Sequence, residues 1–168
     1  MPKLIKNGQL VDDNAEILVL DESQAPEALS LPAGPVFVPM AVWQAHKSAF
    51  SDRSDVGVWL DSHDNVEDLA PDLGEISAVA LNFPKFTDGR AFSQAVLLRR
   101  RWRFAGDLRA TGDVLIDQLV HMHRSGFTSA VLAAGVEPAA AERQFARYSA
   151  YYQGDVLEPR PLFAREAA

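Results

Sequence analysis

The chain has 168 residues, 48% hydrophobic and 23% charged, with a formal charge of −7 and no cysteine. That length suits one domain able to bury a full core, and the missing thiols exclude disulfides, thiolate nucleophiles, thiolate-held iron–sulfur clusters and zinc–thiolate sites. An acidic chain is a poor nucleic-acid binder, because backbone binding depends on neutralising phosphates. The start, MPKLIKNGQL, carries no apolar run of signal-peptide length, and no segment reaches the roughly 18 apolar residues of a membrane span. No membrane partner and a cytoplasmic location are therefore expected.

Residues 1–34 differ in pattern from the remainder of the chain. Gln9 to Val11 and Ile17 to Leu20 are short strand-like runs joined through Asp12-Asp13-Asn14, which predicts an N-terminal β-hairpin and then a polar, proline-bearing loop. From residue 35 to 168 the pattern alternates. Apolar runs at 36–38, 56–60, 77–83, 107–110 and 129–133 have the length of buried strands. Helical stretches at 41–50, 65–70, 90–101, 113–124 and 138–152 lie between and after them. Leu115, Leu119 and Met122 recur at helical spacing, and Gly126 stands where a glycine should end that helix. The reading is a single α/β structural domain of about five mostly parallel strands, doubly wound or half-barrel-like, preceded by the hairpin.

Charge is unevenly spread. Residues 85–124 hold eight of the sixteen basic residues and net +4, against −11 for the rest. In α/β folds ligands bind at the carboxyl ends of the strands, where loops lead into helix N-termini. FPKFTDGR, residues 83–90, is such an exit: Lys85, Thr87, Asp88, Gly89 and Arg90 come after the strand at 77–83 and open a helix. Arg109 ends the strand at 107–110, and Thr111, Gly112 and Asp113 open the next helix. If the two strands are neighbours, Lys85, Arg90 and Arg109 converge with free backbone N–H groups at Thr87, Gly89 and Gly112, and Asp88 and Asp113 orient the arginines. The product would be an oxyanion site, with Lys85 and Asp88 as candidate catalytic acid–base groups. Each residue also has a plain reading as a helix cap, a dipole partner or a surface pair.

Other motifs carry less. Arg99-Arg100-Arg101-Trp102-Arg103 closes a helix whose negative end attracts cations, and it could also grip an acidic partner. His121 and His123 stand two apart and face different sides of their helix, and His46 and His63 have no carboxylate at suggestive spacing, so no metal site is expected. No dinucleotide fingerprint, P-loop or G-x-S-x-G occurs, and the cofactor is unknown.

The stretch FPKFTDGRAFSQAVLLRRRWRFAGDLRATGDVLIDQLVHMHRSGF closely resembles the central block of a bacterial family, domain of unknown function 934. Members are commonly labelled as oxidoreductases involved in sulfite reduction, because they accompany sulfate-assimilation and sulfite reductase genes. The resemblance implies an accessory protein of assimilatory sulfite reduction. It would bind an oxyanion or phosphorylated metabolite, or dock on sulfite reductase. The alternatives are a small-molecule enzyme of the same pathway using Lys85 or Asp88, and an interaction protein without a small ligand.

Overall fold

The computed structural model of the chain describes residues 3–21, 24–50 and 52–165. Among them, eight strands form one sheet: β1 (Lys3–Lys6), β2 (Gln9–Asp12), β3 (Glu16–Ile17), β4 (Val36–Pro39), β5 (Val56–Leu60), β6 (Ala78–Phe83), β7 (Asp107–Gly112) and β8 (Ser129–Leu132). Their spatial order is β2-β1-β8-β7-β6-β5-β4-β3. From β3 to β8 every neighbour is parallel and consecutive in sequence; β1 joins β8 antiparallel and β2 joins β1 antiparallel. Right-handed crossovers between consecutive neighbours put the helices that link β4 to β8 on one face. Of the two architectures expected from sequence, this is the half-barrel-like one, since a doubly wound sheet needs a reversal of strand order.

The sheet has to roll. Flat, β2 and β3 would lie seven strand spacings of about 4.8 Å apart, about 34 Å. Only residues 13–15 join Asp12 to Glu16, and four extended residue steps reach about 14 Å at most. The two sheet edges are therefore drawn together, and the sheet gains an inside and an outside. On the outside, Val58, Leu60, Val79, Leu81, Phe83, Leu108 and Ala110 pack under the helices. Each fully buried large side chain of this set contributes about 1.5–3 kcal/mol. The inward positions along β4 to β8 include Phe37, Trp59, Ala80, Arg109 and Val131, offset by one residue from the outward ones as the pleat requires.

The N-terminal hairpin is real but differently built from the expectation. Its strands are β1 and β2, and the turn is Asn7-Gly8, with φ of 50° and 78°. Asn-Gly at paired positive φ is the turn that matches strand twist. Residues 17–20 do not return along β2. Ile17 instead pairs with Phe37 at the start of the parallel array. The strand total exceeds five because the hairpin and β3 extend the sheet at both edges.

The described residues form six α-helices: α1 (Met40–Ala45), α2 (Lys47–Phe50), α3 (Arg90–Arg100), α4 (Leu119–Arg124), α5 (Pro138–Phe145) and α6 (Leu162–Arg165). The expected helix over 41–50 is interrupted at His46, and Val66–Asp72 is a 3₁₀ stretch containing Pro71. The helix expected from 113 starts later, after a 3₁₀ turn at Ile116–Gln118, and that expected over 138–152 stops at Phe145. α3 buries Ala91, Gln94, Ala95 and Leu98, the i, i+3, i+4, i+7 stripe of an amphipathic helix. Near its end, Arg99 donates to the carbonyls of Gly126, Phe104 and Gly106, tying α3 to the loops around β7. Gly126, at φ 107°, lies just past the end of α4 as expected. Among the described residues, no helix is long and apolar enough to cross a membrane.

Candidate functional site at the carboxyl ends of the strands

β6 and β7 are neighbours, with Phe83 opposite Gly112, so the loops after both strands open side by side. Gly112 takes φ 88°, and a Cβ there would collide with the Phe83 carbonyl. The bare backbone lets Asp113 N–H donate to that carbonyl at 2.8 Å. The Asp113 carboxylate then accepts the Phe86 N–H at 2.9 Å, and Gln118 Nε2 donates to the Phe86 carbonyl at 3.4 Å. The loop is thus braced from the β7 side.

Asp88 faces Arg90 as a fork: Arg90 Nε lies 2.9 Å from Oδ1 and NH2 lies 2.6 Å from Oδ2. The Arg90 side chain and then its backbone N–H hold the Asp88 carboxyl down to about 2. With Oδ1 also accepting the Arg90 N–H at 3.2 Å, this carboxylate occupies the opening of α3. Lys85, Thr87 and Gly89 lie on this loop, and the Lys85 ammonium is exposed with no partner among the described residues.

Arg109 does not join them. It stands three residues before Gly112, about 10 Å down the strand, and its side chain points into the rolled sheet. NH1 donates to Asp13 Oδ1 at 2.8 Å, NH2 lies 3.5 Å from Asp107 Oδ2, and the guanidinium lies over the Phe37 ring at 4.7 Å. The expected convergence of Lys85, Arg90 and Arg109 is corrected on that point. Asp113 likewise orients the loop backbone rather than an arginine. Arg90 is matched by Asp88 and the α3 opening is filled, so the oxyanion pocket expected there is not assembled by these groups.

The structure adds residues that sequence reasoning passed over. Asp61, at the end of β5, accepts from Asn82 Nδ2 at 3.0 Å and from Ser62 N–H at 2.7 Å. Gln94, buried on α3, donates to the carbonyls of Asp61 and Asp64, both at 2.9 Å. His63 Nδ1 lies 3.4 Å from Asp61 Oδ2, so a carboxylate two residues away does face this histidine. Burial pushes the Asp61 carboxyl up, but the Asn82 amide, the Ser62 N–H and the charges of His63 and Arg90 outweigh it and hold it below its ordinary value. The available signal was Asn82, a polar residue breaking the apolar run VALNF beside the strand-exit acid of VGVWLD.

Among the described residues, no group of three His, Cys, Asp or Glu side chains is placed to hold a metal ion. Fold and site together define an α/β protein whose rolled sheet gathers a polar cluster at the carboxyl ends of β5, β6 and β7, the end at which such sheets bind and transform ligands. The sequence model of a family described as bacterial protein of unknown function (DUF934) matches residues 57–163, and the chain belongs to that family. No curated protein and no solved structure matches it.

Proposed function

We propose that the protein is an accessory of assimilatory sulfite reduction that docks on the reductase through the loop after β6. The pathway rests on the family resemblance. The docking mode rests on one observation: Phe86 is 50% exposed at the loop tip although its backbone is pinned on both sides. An aromatic ring held out in water by a braced backbone has little ordering entropy left to lose on binding. Lys85 stands beside it with its charge uncommitted. Such a tip fits an apolar pocket rimmed by acidic side chains.

The test is association of the purified chain with sulfite reductase from the same organism, measured by interferometry. Phe86→Ser with Lys85→Glu should weaken binding at least about tenfold, the usual scale of a hot-spot loss, while leaving the melting temperature unchanged. Undetectable association of the wild-type chain at about 100 µM, a weaker affinity than specific complexes of standard size show, would sink the proposal. So would full affinity in the double variant.

A second reading, a small-molecule enzyme, is favoured by the Asp61–His63 contact. A carboxylate beside Nδ1 orients the ring and leaves Nε2 outward, which is the arrangement of a general base. In that reading Lys85 supplies a cation at the rim, and Asp88 is too strongly acidic to carry a proton near neutral pH. Turnover lost in both His63→Gln and Lys85→Met would select it. Full turnover in either variant would remove that residue from the chemistry.

A further inference from the structure

Past α5 the chain doubles back over α3 and α4. Arg124 Nε donates to Asp155 Oδ2 at 2.8 Å and its NH2 to the Gln153 carbonyl at 3.1 Å, with the guanidinium 4.1 Å from the Tyr151 ring centre. Arg100 NH2 donates to the Asp155 backbone carbonyl at 3.1 Å. Two guanidiniums from two helices thus converge on one residue of the returning chain. They border an open groove of about 240 Å³ lined by Arg100, His121, Arg124, Ser125, Gln153 and Asp155 among others.

The charge there is unbalanced. Among the described residues, Asp155 is the one carboxylate lining the groove, against two arginines. At the sheet mouth the opposite holds, because Arg90 meets Asp88 through both Nε and NH2. Here two of the three bonds go to neutral backbone carbonyls, which leave positive charge over. Most of the guanidinium N–H groups have no partner among the described residues, and a planar fork suits two parallel bonds to an oxyanion. Tyr151 beneath Arg124 and the Phe92 ring, 4.4 Å from His121, hold two walls in place.

We propose that this groove binds a small tetrahedral oxyanion, either a free ion or the terminal phosphate of a small ester, through Arg100 and Arg124 with His121 alongside. Ser125 and Gln153 supply polar edges, and the groove has room for the organic part of an ester. The site lies on the flank of α3 and α4, away from the loop after β6, so it stands or falls independently of the docking proposal.

The experiment is a titration of the full chain with inorganic phosphate, sulfate and glycerol phosphate at constant ionic strength and pH, following the ring proton resonances of His121 and His63. We expect a saturable shift at His121 with His63 unmoved. Arg100→Gln, a change at an exposed side chain, should keep the wild-type melting temperature. It should weaken binding about tenfold or more, the scale of one lost charge-assisted bond. Glycerol phosphate binding tighter than phosphate identifies an ester as the ligand, and equal or weaker binding identifies the free ion. A response linear to the highest concentration, a matching shift at His63, or unchanged affinity in Arg100→Gln overturns the proposal.

Discussion

Replacing Asp13 with alanine removes the carboxylate that faces Arg109 inside the rolled sheet. Both partners are buried, with side chains 6% and 10% exposed and 2.8 Å between charged atoms. Breaking a buried pair from one side strands the other charge, at a cost of about 3–5 kcal/mol. Asp107, 3.5 Å from the guanidinium, and the Phe37 ring at 4.7 Å soften that loss. Against this, Asp13 also accepts the Ala15 N–H at 3.2 Å, a bond worth about 1 kcal/mol. The net expectation is about 3 kcal/mol, seen by calorimetry as a fall of about 6–12 °C in Tm for a chain of this size. The pair also clasps the three-residue connection between the sheet edges, so amide exchange in Glu16 and Ile17 should accelerate more than in β6. Asp13→Ala/Arg109→Met removes both charges and should recover at least about half of the loss. A cost below about 1 kcal/mol in Asp13→Ala, or single-variant costs that merely add in the double variant, would refute the reasoning.

The geometry fixes three further outcomes. Gly112→Ala forces a side chain into the left-handed region and against the Phe83 carbonyl, and should cost at least about 2 kcal/mol in urea unfolding; a neutral result would mean the β6 and β7 exits are not packed this closely. Asp72→Ala leaves the Trp43 Nε1–H without its 3.0 Å acceptor and Lys47 without its 2.7 Å partner, at a cost of about 2–3 kcal/mol by chemical denaturation, and stability within about 0.5 kcal/mol of wild type would contradict it. Asp88 titrates at about 2, below its ordinary value, so its contribution to loop order is complete above the ordinary carboxylate pKa and is lost as pH falls from about 4 towards about 2. Carboxyl carbon shifts should show this, and Arg90→Gln should return Asp88 towards its ordinary value; an ordinary midpoint in the wild-type chain would rule the ion pair out.

The apolar runs VGVWL and VALNF and the helix from Arg90 were legible in the sequence. Strand length, apolar continuity and a polar capping loop are local properties that the residues carry themselves. The Asn7-Gly8 turn was equally local, and its neglect misplaced the hairpin. Strand order and side-chain direction were not local. Arg109 lies one strand from Lys85 and at a strand end in one dimension, yet the pleat and the three-residue seam turn it inward to Asp13, 96 positions earlier. Asp61 became the partner of Asn82 and a neighbour of Arg90 only because consecutive parallel strands bring successive exits to one mouth. Composition and periodicity alone therefore determined an α/β chain with a charged exit loop after β6. Which charges meet was decided by the rolling of the sheet, since an ion pair depends on distances across strands that no spacing along the chain contains.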